Sequence, residues 1–204
     1  MKKLVLFLLV SGFANATIAQ RTLIHCGNLI NGKTKEIQSQ VTIVVEGTKI
    51  LSVDKGFSKP GKDDKLIDLS KKIVMPGLID MHVHIESETS KDALVKRYTQ
   101  NEADVAFQST IYARKTIMAG FTTVRDCGGS GVNISLRNAV NMGTIVGPRI
   151  FTAGKGIATT GGHGDPTNGS RKDLMGDPGP KEGVINGPED ARKAVRQRYK
   201  DGAD

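Results

Sequence analysis

From about residue 71 onward, short apolar runs alternate with stretches of helical period that stop at glycine, and this rhythm restricts the fold more than any other feature. Ile73-Val74 reads as the first apolar segment, and the Pro76-Gly77 turn opens a strand over Leu78 to Ile85. Asp104 to Ala119 follows with Ala106, Phe107, Ile111, Ile117 and Met118 at helical spacing, and Gly120 stands where a left-handed cap belongs. Phe121 to Asp126 is the next strand, Ile134 to Met142 a helix stopped by Gly143, and Arg149 to Ala153 a strand after Gly147-Pro148. Pro188 opens another helix, with Glu189 and Asp190 in its first turn, Ala191, Ala194 and Val195 on one face and Gly202 behind it. Repeated βα units favour parallel strands with helices outside, either in a (β/α)-barrel or in an open doubly wound sheet.

Ahead of this region the pattern differs. Thr22 to Ile24, Val41 to Val45 and Ile50 to Val53 read as strands separated by Asn31-Gly32 and Glu46-Gly47, a small β unit over 20–70 that a returning segment could complete. Residues 1–19 have the layout of a secretory signal peptide: Lys2 and Lys3, the apolar run Leu4 to Val10, then small residues that permit cleavage after Ala16 or Ala19. The expected location is periplasmic or secreted. No stable membrane span is expected after cleavage, because the run is shorter than the ~20 residues a helix needs to cross a bilayer.

The net charge of +8 raises the question of nucleic acid. Lysines and arginines are spread along the chain without a basic run interleaved with aromatics, so no nucleic-acid partner is expected. Two distant cysteines, Cys26 and Cys127, make neither a disulfide framework nor a thiolate metal site and read as small apolar residues, with a single bridge left open. The 204 residues fall short of the roughly 250 of a complete eight-stranded barrel. Three βα units cannot close, and Ala203-Asp204 would lead from a helix stop into a further strand, so 71–204 is expected to be the truncated first part of a longer barrel.

The chemistry concentrates in Pro76-Gly77-Leu78-Ile79-Asp80-Met81-His82-Val83-His84. Side chains at i and i+2 of a strand share a face, so His82 and His84 present two imidazoles together, a metal-ligand arrangement. Half of the chain's four histidines stand here. Asp80 falls on the same face by alternation, where it could orient a ligand or cap a turn. Arg125 and Asp126 end a strand where an apolar pair is expected, and a structural ion pair is the preferred reading, with Arg125 binding a substrate carboxylate as the other.

A β unit followed by Val74-Met75-Pro76-Gly77-Leu78-Ile79-Asp80-Met81-His82-Val83-His84 resembles the opening of the amidohydrolase superfamily. The resemblance continues through Gly120-Phe121-Thr122-Thr123-Val124-Arg125-Asp126, Gly147-Pro148-Arg149-Ile150 and Thr160-Gly161-Gly162-His163-Gly164-Asp165. It is strongest to the branch with Xaa-Pro dipeptidases and imidazolonepropionase-like hydrolases. It implies the N-terminal portion of a (β/α)8 TIM-like barrel preceded by a small β-sandwich segment. It also implies two divalent ions, usually zinc, with His82 and His84 on one of them. A carboxylated lysine, two further histidines and an aspartate of such a centre have no counterparts assignable here, so no catalytic residue is assigned and the 204 residues alone are expected to be inactive. The implied reaction is hydrolysis of a C–N amide bond by metal-activated hydroxide, on a dipeptide of Xaa-Pro type or an N-acyl amino acid. A cyclic-amide hydrolase and a noncatalytic binding or remnant protein are the alternatives. His163, in a glycine-rich loop after the third strand, reads as a substrate contact. The expected partner is a small molecule or short peptide, and homo-oligomerisation stays open.

Overall fold

A computed structural model describes residues 20–204, and the expected signal peptide over 1–19 lies outside the described residues. The chain divides after Pro76 into two compact units.

The first unit is one mixed sheet of β1 (Arg21–Leu29), β2 (Gln38–Glu46), β3 (Lys49–Lys55) and β4 (Lys65–Val74), in the order β3-β2-β1-β4. β2 runs antiparallel to both neighbours and β4 runs parallel to β1. Cys26, Leu29, Val41 and Ile43 form its buried core, which is why the β-branched run of β2 holds its register. Thr42 is fully buried because its hydroxyl donates to the Gly56 carbonyl at 2.8 Å and accepts from the Ser58 amide at 3.0 Å. His25 of β1 stacks on Phe57 at 4.8 Å and lies 2.9 Å from the Ser58 carbonyl through Nε2.

One expectation is corrected by β4. Ile73 and Val74 do not open the α/β part: they pair with Asn28 and Leu29 of β1 and belong to the first unit. Sheet pairing along β1 overrides the local resemblance of Ile73-Val74 to a short independent strand.

In the second unit, β5 (Leu78–Val83), β6 (Phe121–Asp126) and β7 (Arg149–Thr152) form a parallel sheet in chain order. Between them run α1 (Ala93–Thr99), α2 (Glu102–Met118) and α3 (Val132–Asn141). The start of α2 is fixed by Asn101, whose amide donates to Asp104 Oδ2 at 2.8 Å. Ala113 of α2 and Leu136 of α3 pack on Val124 and Ile150, so alternate residues of β6 and β7 are buried under helices. Thr123, Arg125, Arg149 and Phe151 alternate with these and point to the opposite face, where Arg149 and Phe151 are exposed. The unit is therefore a mixed α/β fold with helices on one face of the sheet.

The stretch 155–187 contains the short parallel pair β8 (Ala158–Thr159) and β9 (Val184–Ile185), and one turn of helix, α4 (Lys172–Met175). The last helix, α5 (Pro188–Asp201), runs from a proline in its first turn to Gly202 in the left-handed region. Among the described residues no helix is long and apolar enough to cross a membrane.

Candidate metal centre

The C-terminal end of β5 brings His82 and His84 together. Their ring centroids lie 5.6 Å apart at 71°. Two imidazoles bound at about 2.1 Å to one tetrahedral ion have centroids about 5 Å apart, so the spacing fits a shared ion. Both side chains belong to exposed residues and are open to a ligand. The Nδ1 atom of His84 lies 2.6 Å from the Gly128 carbonyl oxygen. A carbonyl only accepts, so Nδ1 carries a proton, and the neutral form of the ring then has its lone pair at Nε2. This is the tautomer a metal ligand needs, with its other nitrogen held by the backbone.

Asp126 holds the loop that supplies that carbonyl. It is completely buried, its Oδ2 accepts from the Ile85 amide at 2.8 Å, and its Oδ1 accepts from the Gly128 amide at 2.9 Å. The ion pair expected between Arg125 and Asp126 does not form, because adjacent strand residues project to opposite faces and backbone amides supply the donors Asp126 requires. Arg125 instead lies on the face that carries Thr123 and Phe151.

Asp80 makes a local backbone contact. Its Oδ1 accepts from the His82 amide at 3.0 Å, and the β5–β6 register shifts between Asp80 and Val83, so strict alternation fails there. The carboxylate fixes the backbone just before the histidine pair.

His163 is exposed on the loop after β8 and makes no hydrogen bond among the described residues. The loop itself is ordered by Asp165, whose carboxylate accepts from the Gly161 amide at 2.8 Å, the Thr167 amide at 2.9 Å and the Thr167 hydroxyl at 2.7 Å. The Gly161 amide, followed by the Thr167 contacts, holds the Asp165 carboxyl below the usual carboxylate range. Arg97 of α1 donates to the Pro166 carbonyl at 3.0 Å and ties this loop to the second unit's first helix. Among the described residues no third ligating side chain joins His82 and His84.

Two functional elements escaped sequence reasoning. Glu86 is buried, and its carboxylate accepts from the Ser130 amide at 2.6 Å and the Asn133 amide at 2.5 Å. It takes the place of a side-chain cap at the start of α3, where a negative charge is favoured. The Gly128-Gly129 pair is the other element. A Cβ on Gly128 would lie 2.8 Å from Gly156 backbone atoms, and one on Gly129 would lie 2.5 Å from the Glu86 carboxyl. Only glycines let the loop pass between them, and the glycine pair one residue beyond Asp126, after Cys127, was the available signal. Beside His84 opens a cleft of about 650 Å³, whose walls include Lys96, Arg97 and Tyr112.

Residues 73–204 match the model of the amidohydrolase family. The chain belongs to that family. This amidohydrolase chain is 28% identical over 207 residues to ochratoxinase of Aspergillus niger, a match covering 93% of the chain and 42% of the relative. A crystal structure of a Xaa-Pro dipeptidase with methionine bound in its active site superposes with a TM-score of 0.84 at 49% identity, over 91% of this chain and 46% of that one. A prolidase complexed with N-methylphosphonate-L-proline gives a TM-score of 0.76 at 31% identity, over 90% and 45%. The amidohydrolase chain thus spans less than half the length of these relatives. Divalent metals are general in the amidohydrolase superfamily, and the paired imidazoles, with Nε2 of His84 left free, fit that chemistry.

Proposed function

We propose that the amidohydrolase of which this chain forms part hydrolyses a C–N amide bond of a dipeptide of Xaa-Pro type or an N-acyl amino acid, with His82 and His84 as two ligands of its metal centre. The observation that carries the reading is the 2.6 Å contact from His84 Nδ1 to the Gly128 carbonyl, which leaves Nε2 as the ligating atom. The choice of substrate class is supported by similarity to a Xaa-Pro dipeptidase and to a prolidase complexed with a phosphonate analogue that carries L-proline.

In this reading β5, β6 and β7 are the first three strands of a (β/α)8 barrel, since they are parallel, stand in chain order and bear helices on one face. The four-stranded sheet is then the first part of a β-sandwich that a later segment completes. The chemistry that a divalent ion, zinc in this reading and two per complete enzyme, supplies at such a site is polarisation of a carbonyl and activation of water near neutral pH. The chain's own residues orient. Gly128 holds the proton of His84 at Nδ1, Asp126 holds Gly128, and Asp80 holds the backbone of His82. Lys96 and Arg97 place positive charge in the wall of the cleft next to His84, where a substrate carboxylate would be favoured. His163 is the proposed substrate contact from the loop above, and Arg125 a charged group behind the site. Export to the periplasm or medium accompanies this role, on the strength of the N-terminal sequence.

The test uses the full-length protein. His82→Ala and His84→Ala are expected to abolish hydrolysis of Xaa-Pro dipeptides and to lower zinc content measured by elemental analysis. Undiminished activity in either variant would sink the proposal.

A further inference from the structure

Asn133 has no part in the reading above, yet its side chain and backbone amide together join the ends of all three parallel strands. It lies in the first turn of α3 and is fully buried. Its Nδ2 donates to Asp126 Oδ1 at 2.9 Å, at the last residue of β6, and to the Gly154 carbonyl at 2.9 Å, past β7. Its backbone amide donates to Glu86 at 2.5 Å, past β5. The oxygen of Asp126 that accepts from Asn133 is the one that accepts from the Gly128 amide, and the Gly128 carbonyl meets His84 Nδ1.

We infer that Asn133 is a positioning residue for the metal ligand His84, acting through Asp126 and Gly128 to hold the imidazole proton at Nδ1. Physical reasons favour asparagine there. One amide group donates twice, to a carboxylate and to a carbonyl, and no other uncharged side chain of that length does so. Because the path is buried, each of its bonds is stronger than in water and each lost partner costs more. Gly154 also accepts from the Gly129 amide at 2.8 Å, so the loop is fixed on both sides of the carbonyl that His84 meets. The inference rests on the metal reading of His82 and His84 but predicts a property of the metal-free ring as well.

The test uses the full-length protein with Asn133→Asp as the first variant. Aspartate keeps the shape and suits the first turn of α3, where the helix dipole favours an acid, but it cannot donate from that position when ionised. Asn133→Ala is the second variant, and Asn138→Ala, exposed on the same helix, is the control. Nitrogen-15 spectra of the metal-free imidazoles should place the His84 proton on Nδ1 in the unsubstituted protein and move it toward Nε2 in both Asn133 variants. Zinc affinity, read by competition with a chelator, should fall about 10- to 100-fold in those variants and stay unchanged in the control. A folded Asn133 variant that keeps the proton on Nδ1 and binds zinc within about twofold of the unsubstituted protein would overturn the inference. So would a His84 proton on Nε2 in the unsubstituted protein, even if neither variant folds. Failure of the unsubstituted protein to bind zinc would overturn the metal reading, and the tautomer would still decide the role of Asn133.

Discussion

A carboxylate shut away from water must be surrounded by donors, and Asp126 meets that demand with three N–H groups from Ile85, Gly128 and Asn133. Asp126→Ala strands those donors in the interior, at about 1–3 kcal/mol for each that stays unpaired. The expected outcome is a large fall in the urea midpoint with the slope of the transition preserved. Asp126→Asn should lose less, since one oxygen still accepts. Gly129→Ala tests the neighbouring crowding: its new methyl group would sit 2.5 Å from the Glu86 carboxyl, and overpacking of this kind costs about 1–3 kcal/mol, read from the same denaturation curve. Asp126→Ala and Gly129→Ala should also weaken zinc binding, since they disturb the carbonyl that holds His84.

At the scale of the element, the 161–167 loop depends on the charge of one carboxylate. Asp165 titrates below its usual range, so its bonds to Gly161 and Thr167 contribute stability that is present above the unfolded pKa. That contribution is lost as the pH falls below about 4 and through the lowered folded value. Amide hydrogen exchange should therefore show Gly161 and Thr167 protected at neutral pH and released in acid, while Asp165→Asn weakens their protection at all pH values. The elements differ in how openly the sequence displayed them. β6 and the helices around it were legible because apolar period and glycine stops agree there. The histidine pair was legible because a two-residue period needs no tertiary information. β4 was hidden, since Lys65, Asp68, Lys71 and Lys72 interrupt its apolar residues as edge strands tolerate. α1 was hidden because none of its residues is buried. Glu86 was hidden for another reason: its partners lie 44 and 47 residues downstream, and no local pattern announces a carboxylate that caps a distant helix. Local pattern alone leaves Asp80 open between capping a turn and orienting a ligand, and its bond from the His82 amide is of the first kind.

For the whole molecule, the uncovered apolar surface is the governing fact. Phe107 and Met118 of α2 are 75% and 73% exposed, and Tyr199 of α5 is 84% exposed. Surface of this kind marks an interaction site or promotes association. Residues 20–204 prepared alone are expected to bind a hydrophobic dye and to grow in size with concentration by light scattering. The full-length protein should do neither to the same degree, and a dye-silent monomer of 20–204 would contradict this. The order of the parallel sheet has a further consequence, for synthesis on the ribosome. Because β5, β6 and β7 lie side by side in the order they are made, each new strand leaves the exit tunnel to find its neighbour already in place. β6 begins 43 residues after β5, and β7 28 residues after β6. At about 5–20 residues per second, each raw edge waits only about 1–9 seconds for its cover. Slowed translation of 84–148 would lengthen that wait and raise the share of nascent chains captured by chaperones.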